Sequence, residues 1–133
     1  MDNLRKIELF SSLDDATGER YGQVCMWKEY DANELVIDID EETTDVRFIV
    51  SGLVRIINRF AVGKEVILAE MGQGEFFGEL AAIDDELRSA NVTTLNRSQI
   101  CIMPRKIFLE LISTSQDVNL QVMRVLAKRI RTL

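Results

Sequence analysis

Residues 74–92 read GEFFGELAAIDDELRSANV. Gly74 and Gly78 allow turns and close backbone approach, as does Gly72 just before them. Glu79 opens GELAAI, which suits one or two turns of helix. The first turn of a helix offers free N–H groups and a partial positive charge, a setting that favours phosphate. Arg88 brings a planar, permanently charged fork for phosphate oxygens, and Ser89 a hydroxyl donor. Glu79 would be repelled by phosphate. As a carboxylate it only accepts hydrogen bonds, so a pair of sugar hydroxyls suits it. The residues point to a phosphate fused closely to a ribose. The competing reading is structural: Glu79 and Arg88 pair with each other or with solvent, and DDEL is a surface loop.

Outward from this stretch the pattern is short and strand-like. VCMWKEY (24–30), LVIDID (35–40), RFIVSGLVRIINRF (47–60), EVILAEM (65–71) and NVTTLNRSQICIM (91–103) are rich in β-branched and aromatic residues and partly alternating. Gly52, Gly63, Gly72 and Gly74 punctuate them. This spacing predicts an antiparallel sandwich or barrel. Gly63 in FAVGKEV reads as a hairpin turn. Asn33 and Asp40 fall at expected turns and tolerate left-handed backbone.

The two ends read as helical. Leu4, Ile7 and Phe10 share a face, and Leu13 with Ala16 follows Ser11-Ser12. Ser12, with acids just after it, is the expected cap of the second of two short helices. Pro104, the single proline, marks a helix start before RKIFLELI. A last helix follows, with Val118, Val122, Leu126, Ile130 and Leu133 on one face and Leu120, Met123 and Ala127 beside them. So broad an apolar face serves a core, a partner, or both. The helix has no glycine or proline stop, so the expectation is that the natural chain continues past Leu133.

Bulk composition narrows the function. A length of 133 residues suits one domain, and 47% hydrophobic content supplies a core. The net charge of −6 argues against gripping nucleic acid or a membrane surface through this stretch. Histidine is absent, which removes the commonest general base and zinc ligand. Cys25 and Cys101 lie in apolar contexts without CxxC spacing and read as buried free thiols of a reducing cytoplasm. No metal site and no nucleophile–base pair is visible, so the chain does not read as an enzyme. No apolar run reaches membrane-helix length.

The pattern Phe77, Gly78, Glu79, Leu80, Ala81, then Arg88, Ser89, Ala90 and Val92 closely resembles the phosphate-binding cassette of cyclic nucleotide-binding domains of the catabolite-activator (Crp/Fnr) type. KEVILAEMGQG (64–74), FIVSGLVRI (48–56) and LRKIELFSSL (4–13) extend the resemblance over nearly the whole chain. It implies a mainly β fold with flanking helices: an antiparallel β-roll (double-stranded β-helix or jelly-roll). Short helices would occupy 1–23, the roll 24–103 with its cassette at 77–92, and a C-terminal helix pair 104–133. It implies that Glu79 accepts the ribose 2′-hydroxyl. Arg88 and Ser89 would hold the cyclic phosphate, and N–H groups of Gly78, Leu80, Ala81 and Ala90 would line the pocket. Ala69, Met71 and Arg129 match positions near the ligand. The implied ligand is cAMP, with cGMP the alternative, because Ser89 lies between the residues that go with each. The implied protein is a sensor, the regulatory part of a bacterial transcription regulator. It would be cytoplasmic and homodimeric through its C-terminal helix, without metal or membrane, and would reach DNA only through a further domain. Two alternatives share the fold: an interaction scaffold with a vestigial site, and the regulatory module of a non-transcriptional effector. The sequence departs from the family where Asn33 and Asp40 replace usual glycines. It also ends where helical residues that read the base would begin.

Overall fold

In a computed structural model, residues 2–39, 41–59, 65–86, 88 and 90–132 are described. Two four-stranded antiparallel sheets face each other. The first has strand order β1-β8-β3-β6 and the second β2-β7-β4-β5. The strands are β1 (Met26–Tyr30), β2 (Leu35–Ile37), β3 (Val46–Ser51), β4 (Leu53–Arg59), β5 (Glu65–Gly72), β6 (Phe76–Phe77), β7 (Asn91–Thr94) and β8 (Ser98–Met103). The helices are α1 (Asp15–Gly22), α2 (Glu79–Asp84), α3 (Arg105–Thr114) and α4 (Gln116–Arg131). This is the expected antiparallel β-roll with flanking helices.

The central strands β3 and β8 of the first sheet are covered on both faces, so they are apolar at most positions, whereas the edge strand β1 is largely exposed. One face of β3 and β8 sends Phe48, Cys101 and Met103 toward the helices, where Leu4, Phe10, Phe76, Phe108, Val118 and Val122 meet them. Phe48 stands edge-on to Phe10, their ring centres 5.0 Å apart, and tilted against Phe76 at 5.7 Å. The other face sends Ile49 and Ile100 between the sheets, against Tyr30, Val36, Ile37, Val54, Phe77 and Val92. Both free cysteines are buried, as their apolar contexts suggest.

The β3–β4 turn needs its glycine. Gly52 has φ +103°, and a Cβ there would collide with the Ser98 side chain. Asn33 adopts the left-handed conformation at φ +63°, as expected. In the β4–β5 ladder the register shifts between Ile56, opposite Ala69, and Ile57, opposite Ile67. Such a bulge bends the strand pair where it leaves the core. The turn readings at Asp40 and Gly63, and Leu133 on the last helix, lie outside the described residues.

Two punctuation readings are corrected. The chain before α1 forms two 3₁₀ turns, Leu4–Lys6 and Glu8–Phe10, rather than an α-helix. Leu4, Ile7 and Phe10 are nonetheless buried together, because a three-residue period eclipses them on one side. The cap of α1 is Asp14, which accepts from Thr17 N at 2.8 Å, and not Ser12, whose hydroxyl donates to Asp117 Oδ2 at 2.7 Å. Pro104 sits just before the first residue of α3, and its carbonyl accepts from Ile107 and Phe108. Ser115 caps α4 through Val118 N. Val118 and Val122 enter the core, whereas Leu120, Met123 and Ile130 stay exposed, so the broad apolar face divides into a buried and an open stripe.

Candidate functional site

The cassette is built by a sharp reversal after β6. Gly78 takes φ +82° and starts α2. A Cβ at Gly78 would lie 2.7 Å from the Arg88 guanidinium, so the glycine is required for both conformation and space. Asp85, at φ +59°, ends the helix and turns the chain toward Arg88 and β7. Glu79 and Arg88 thereby come to line the same small cavity.

Arg88 is only 6% exposed. Its Nη1 donates to the Gly78 carbonyl at 2.8 Å. Its Nη2 has three acceptors: the Asp45 carbonyl at 2.9 Å, Asp45 Oδ1 at 3.2 Å and Thr43 Oγ1 at 3.1 Å. Its Nε–H is buried with no acceptor among the described residues. Burial pushes the Arg88 pKa down, and the Asp45 carboxylate opposes that shift.

Glu79, 5% exposed, does not pair with Arg88; its partner is Arg129 near the end of α4. Arg129 Nη1 donates to Glu79 Oε1 at 2.6 Å, and Nη2 donates to the Phe76 carbonyl at 2.5 Å. The guanidinium also lies over the Phe76 ring, 4.8 Å from its centre. Burial raises the Glu79 pKa above the ordinary carboxylate value, and Arg129 works against the rise. Loss of water disfavours the charged carboxylate more than the neighbouring cation supports it.

The cavity between these groups has a volume of about 140 Å³. Ile37, Ile56, Met71, Phe77, Leu80, Ala90 and Val92 give it an apolar wall, and Gly78, Glu79, Arg88 and Arg129 a polar end. Of the residues singled out from sequence, Gly78, Glu79, Leu80, Arg88, Ala90, Met71 and Arg129 therefore line one cavity. Ala81 is buried in α2 behind it, and Ala69 is half-buried on β5 opposite Ile56. Ser89 lies outside the described residues.

Sequence reading missed the residues that brace Arg88. Asp45 and Thr43 precede β3, far from the cassette in the chain, and only the fold brings them to it. Arg47, 5% exposed, lies on β3 beside them. Its Nε donates to Asp45 Oδ1 at 2.6 Å and its Nη1 to the Val36 carbonyl at 2.7 Å. A signal was available: Arg47 shares the strand phase of Ile49, which faces inward, so a charge there had to find buried partners.

Comparison with known proteins shows the family. The family model of the cyclic nucleotide-binding domain matches residues 27–115. The cAMP-activated global transcriptional regulator CRP of Pasteurella multocida is 28% identical over 118 residues, covering 88% of this chain and 56% of that protein. The lysophospholipase nte1 of Emericella nidulans is 25% identical over 107 residues, covering 80% of this chain and 7% of the enzyme. Among solved structures, the Thermus thermophilus catabolite activator protein superposes with a TM-score of 0.79 at 25% identity, covering 93% of this chain and 58% of that one. The chain thus spans about half the length of the bacterial regulators it matches and a small part of the fungal enzyme.

Proposed function

The chain belongs to the cyclic nucleotide-binding domain family, and we propose that it is a cyclic nucleotide sensor that sets the ligand's phosphate against Arg88 and its ribose against Glu79. The observation that carries this reading is the buried guanidinium of Arg88, whose Nε–H has no acceptor among the described residues, lining the same cavity as a buried carboxylate. A buried N–H without a partner costs about 1–3 kcal/mol, a cost that an anion's oxygen removes. In this account Glu79 accepts the 2′-hydroxyl. Ser89 and the N–H groups of Gly78, Leu80, Ala81 and Ala90 complete the phosphate end. Ala69 and Met71 border the base.

A cavity of about 140 Å³ is smaller than the roughly 300 Å³ at the low end for small-molecule sites. Binding would therefore shift the end of α4, because Arg129 holds Glu79 Oε1, an oxygen of the carboxylate assigned to the ribose. That movement reaches the open stripe of Leu120, Met123 and Ile130, which we assign as a homodimer face. The whole stretch 1–133 acts as one ligand-binding unit that performs no chemistry itself. We favour cAMP over cGMP because the bacterial relative is cAMP-activated. The same relative favours the regulatory part of a transcription regulator; we further propose that it is cytoplasmic and reaches DNA through another domain. The match to a fungal lysophospholipase favours a second reading, in which the unit regulates a non-transcriptional effector.

Isothermal titration calorimetry with cAMP and cGMP tests the site. Expected is saturable one-site binding, tighter for cAMP, that Arg88→Ala abolishes. Absence of saturation by either nucleotide at millimolar concentration, or full binding by Arg88→Ala, overturns the reading.

A further inference from the structure

On the side away from the cavity lining, Arg88 joins a closed ring of charged and polar groups whose other members do not line the cavity. Asp45 Oδ1 accepts from two arginines, Arg47 Nε at 2.6 Å and Arg88 Nη2 at 3.2 Å. Arg47 Nη2 also lies 3.6 Å from Glu41 Oε2. The Thr43 hydroxyl donates to that same Glu41 oxygen and accepts from Arg88 Nη2. Two arginines and two carboxylates thus tie the segment between β2 and β3 to the cassette.

The ring poses a competition. Nη2 carries two hydrogens and faces three acceptors, while the neighbouring Nε–H has none among the described residues. An anion that engages Arg88 through its Nε–Nη2 edge draws on hydrogens now shared among these three acceptors, of which Asp45 Oδ1 is the charged and most distant one. Asp45 tolerates that loss only if another cation keeps its mostly buried carboxylate paired, because an orphaned buried charge is costly. Arg47 is placed to do this and holds the shorter bond.

We propose that Arg47 is a positioning residue for the anion site: by holding Asp45, it frees the Nε–Nη2 edge of Arg88 for the phosphate. This rests on the nucleotide-binding reading above. Without Arg47, Arg88 is the one side chain among the described residues left to pair with Asp45, which then competes directly with the ligand. Arg47 lines no part of the cavity, so its influence travels through the shared carboxylate.

The test is a double-mutant cycle on cAMP affinity by calorimetry, using wild type, Arg47→Met, Asp45→Asn and the double variant, with folding checked by near-UV circular dichroism. Arg47→Met is expected to weaken cAMP about tenfold, within the range of coupling seen inside one hydrogen-bonded network. Asp45→Asn removes the competitor, so the double variant is expected within about threefold of Asp45→Asn alone. If Arg47→Met does not fold, Arg47→Lys takes its place. It keeps the charge but loses the fork, and its smaller loss should also vanish with Asp45→Asn. Wild-type affinity in Arg47→Met, or the same loss whether residue 45 is Asp or Asn, overturns the positioning role while leaving the nucleotide reading intact. Failure of the wild type itself to bind overturns both.

Discussion

Replacing Arg129 by methionine isolates the contact that joins α4 to the cassette. The substitution leaves Glu79, 5% exposed, without its 2.6 Å partner at Oε1. At pH 7 the carboxylate can escape by taking a proton, which caps its cost. From an ordinary value of 4.5, about 2.5 pH units at about 1.36 kcal/mol each give a ceiling of roughly 3.4 kcal/mol. The Arg129 side chain is 28% exposed, so water offsets part of this, and about half the ceiling is a fair figure. The Phe76 carbonyl also loses a donor, worth about 1 kcal/mol, and the ring loses its cation, worth about 0.5 kcal/mol when the cation is partly exposed. Methionine recovers some packing. The net expectation is a loss of about 2–3 kcal/mol, or a fall in Tm of roughly 6–10 °C for a chain of this size. Urea unfolding followed by the fluorescence of Trp27, the single tryptophan, measures it at neutral pH. In a Glu79→Gln background the same substitution should cost at least about 1 kcal/mol less, because no buried charge is stranded. A loss below about 0.5 kcal/mol, or equal losses in both backgrounds, would refute the reasoning.

Three further outcomes follow from the same geometry. Burial raises the Glu79 pKa above 4.5, so the folded state holds this proton more tightly than the unfolded state. Its contribution to stability is complete below pH 4.5 and is lost as pH rises through the raised folded value. Melts across that window should show Glu79→Gln gaining on wild type as pH rises, then levelling off, and an opposite slope contradicts the assignment. Gly78→Ala places a side chain at φ +82° and against Arg88, so it should cost about 1–2 kcal/mol in urea unfolding and weaken cAMP binding in calorimetry, whereas wild-type values in both refute the glycine requirement. Asp14→Ala removes the cap of α1 and should lower Tm in thermal melts, while Ser12→Ala leaves α1 capped; the reverse order would restore the first reading of that turn.

The parts of this molecule that were legible in sequence are those set by neighbours in the chain. Period-two alternation exposed the strands, Gly52 and Asn33 exposed their turns, and GELAAI exposed α2, since each reports a local backbone requirement. The cassette was legible because one short segment supplies both Glu79 and Arg88. What those side chains bond was not. Glu79 meets Arg129 across 50 positions and Arg88 meets Asp45 across 43, and such pairings depend on sheet register and helix docking, which local periodicity does not encode. The 3₁₀ turns escaped for a related reason. A burial pattern at positions 4, 7 and 10 suits a three-residue period as well as a helix, and only docking on Phe48 and its neighbours decides between them.

The most direct test of nucleotide binding at this site is a titration of the ¹⁵N-labelled protein with cAMP, followed by amide and arginine Nε resonances. The account expects saturable shifts sharing one dissociation constant at Gly78, Leu80, Ala81 and Ala90, together with the Nε–H of Arg88, and expects Arg88→Ala to abolish them. Shifts that centre elsewhere, or no shifts at millimolar cAMP, would contradict it.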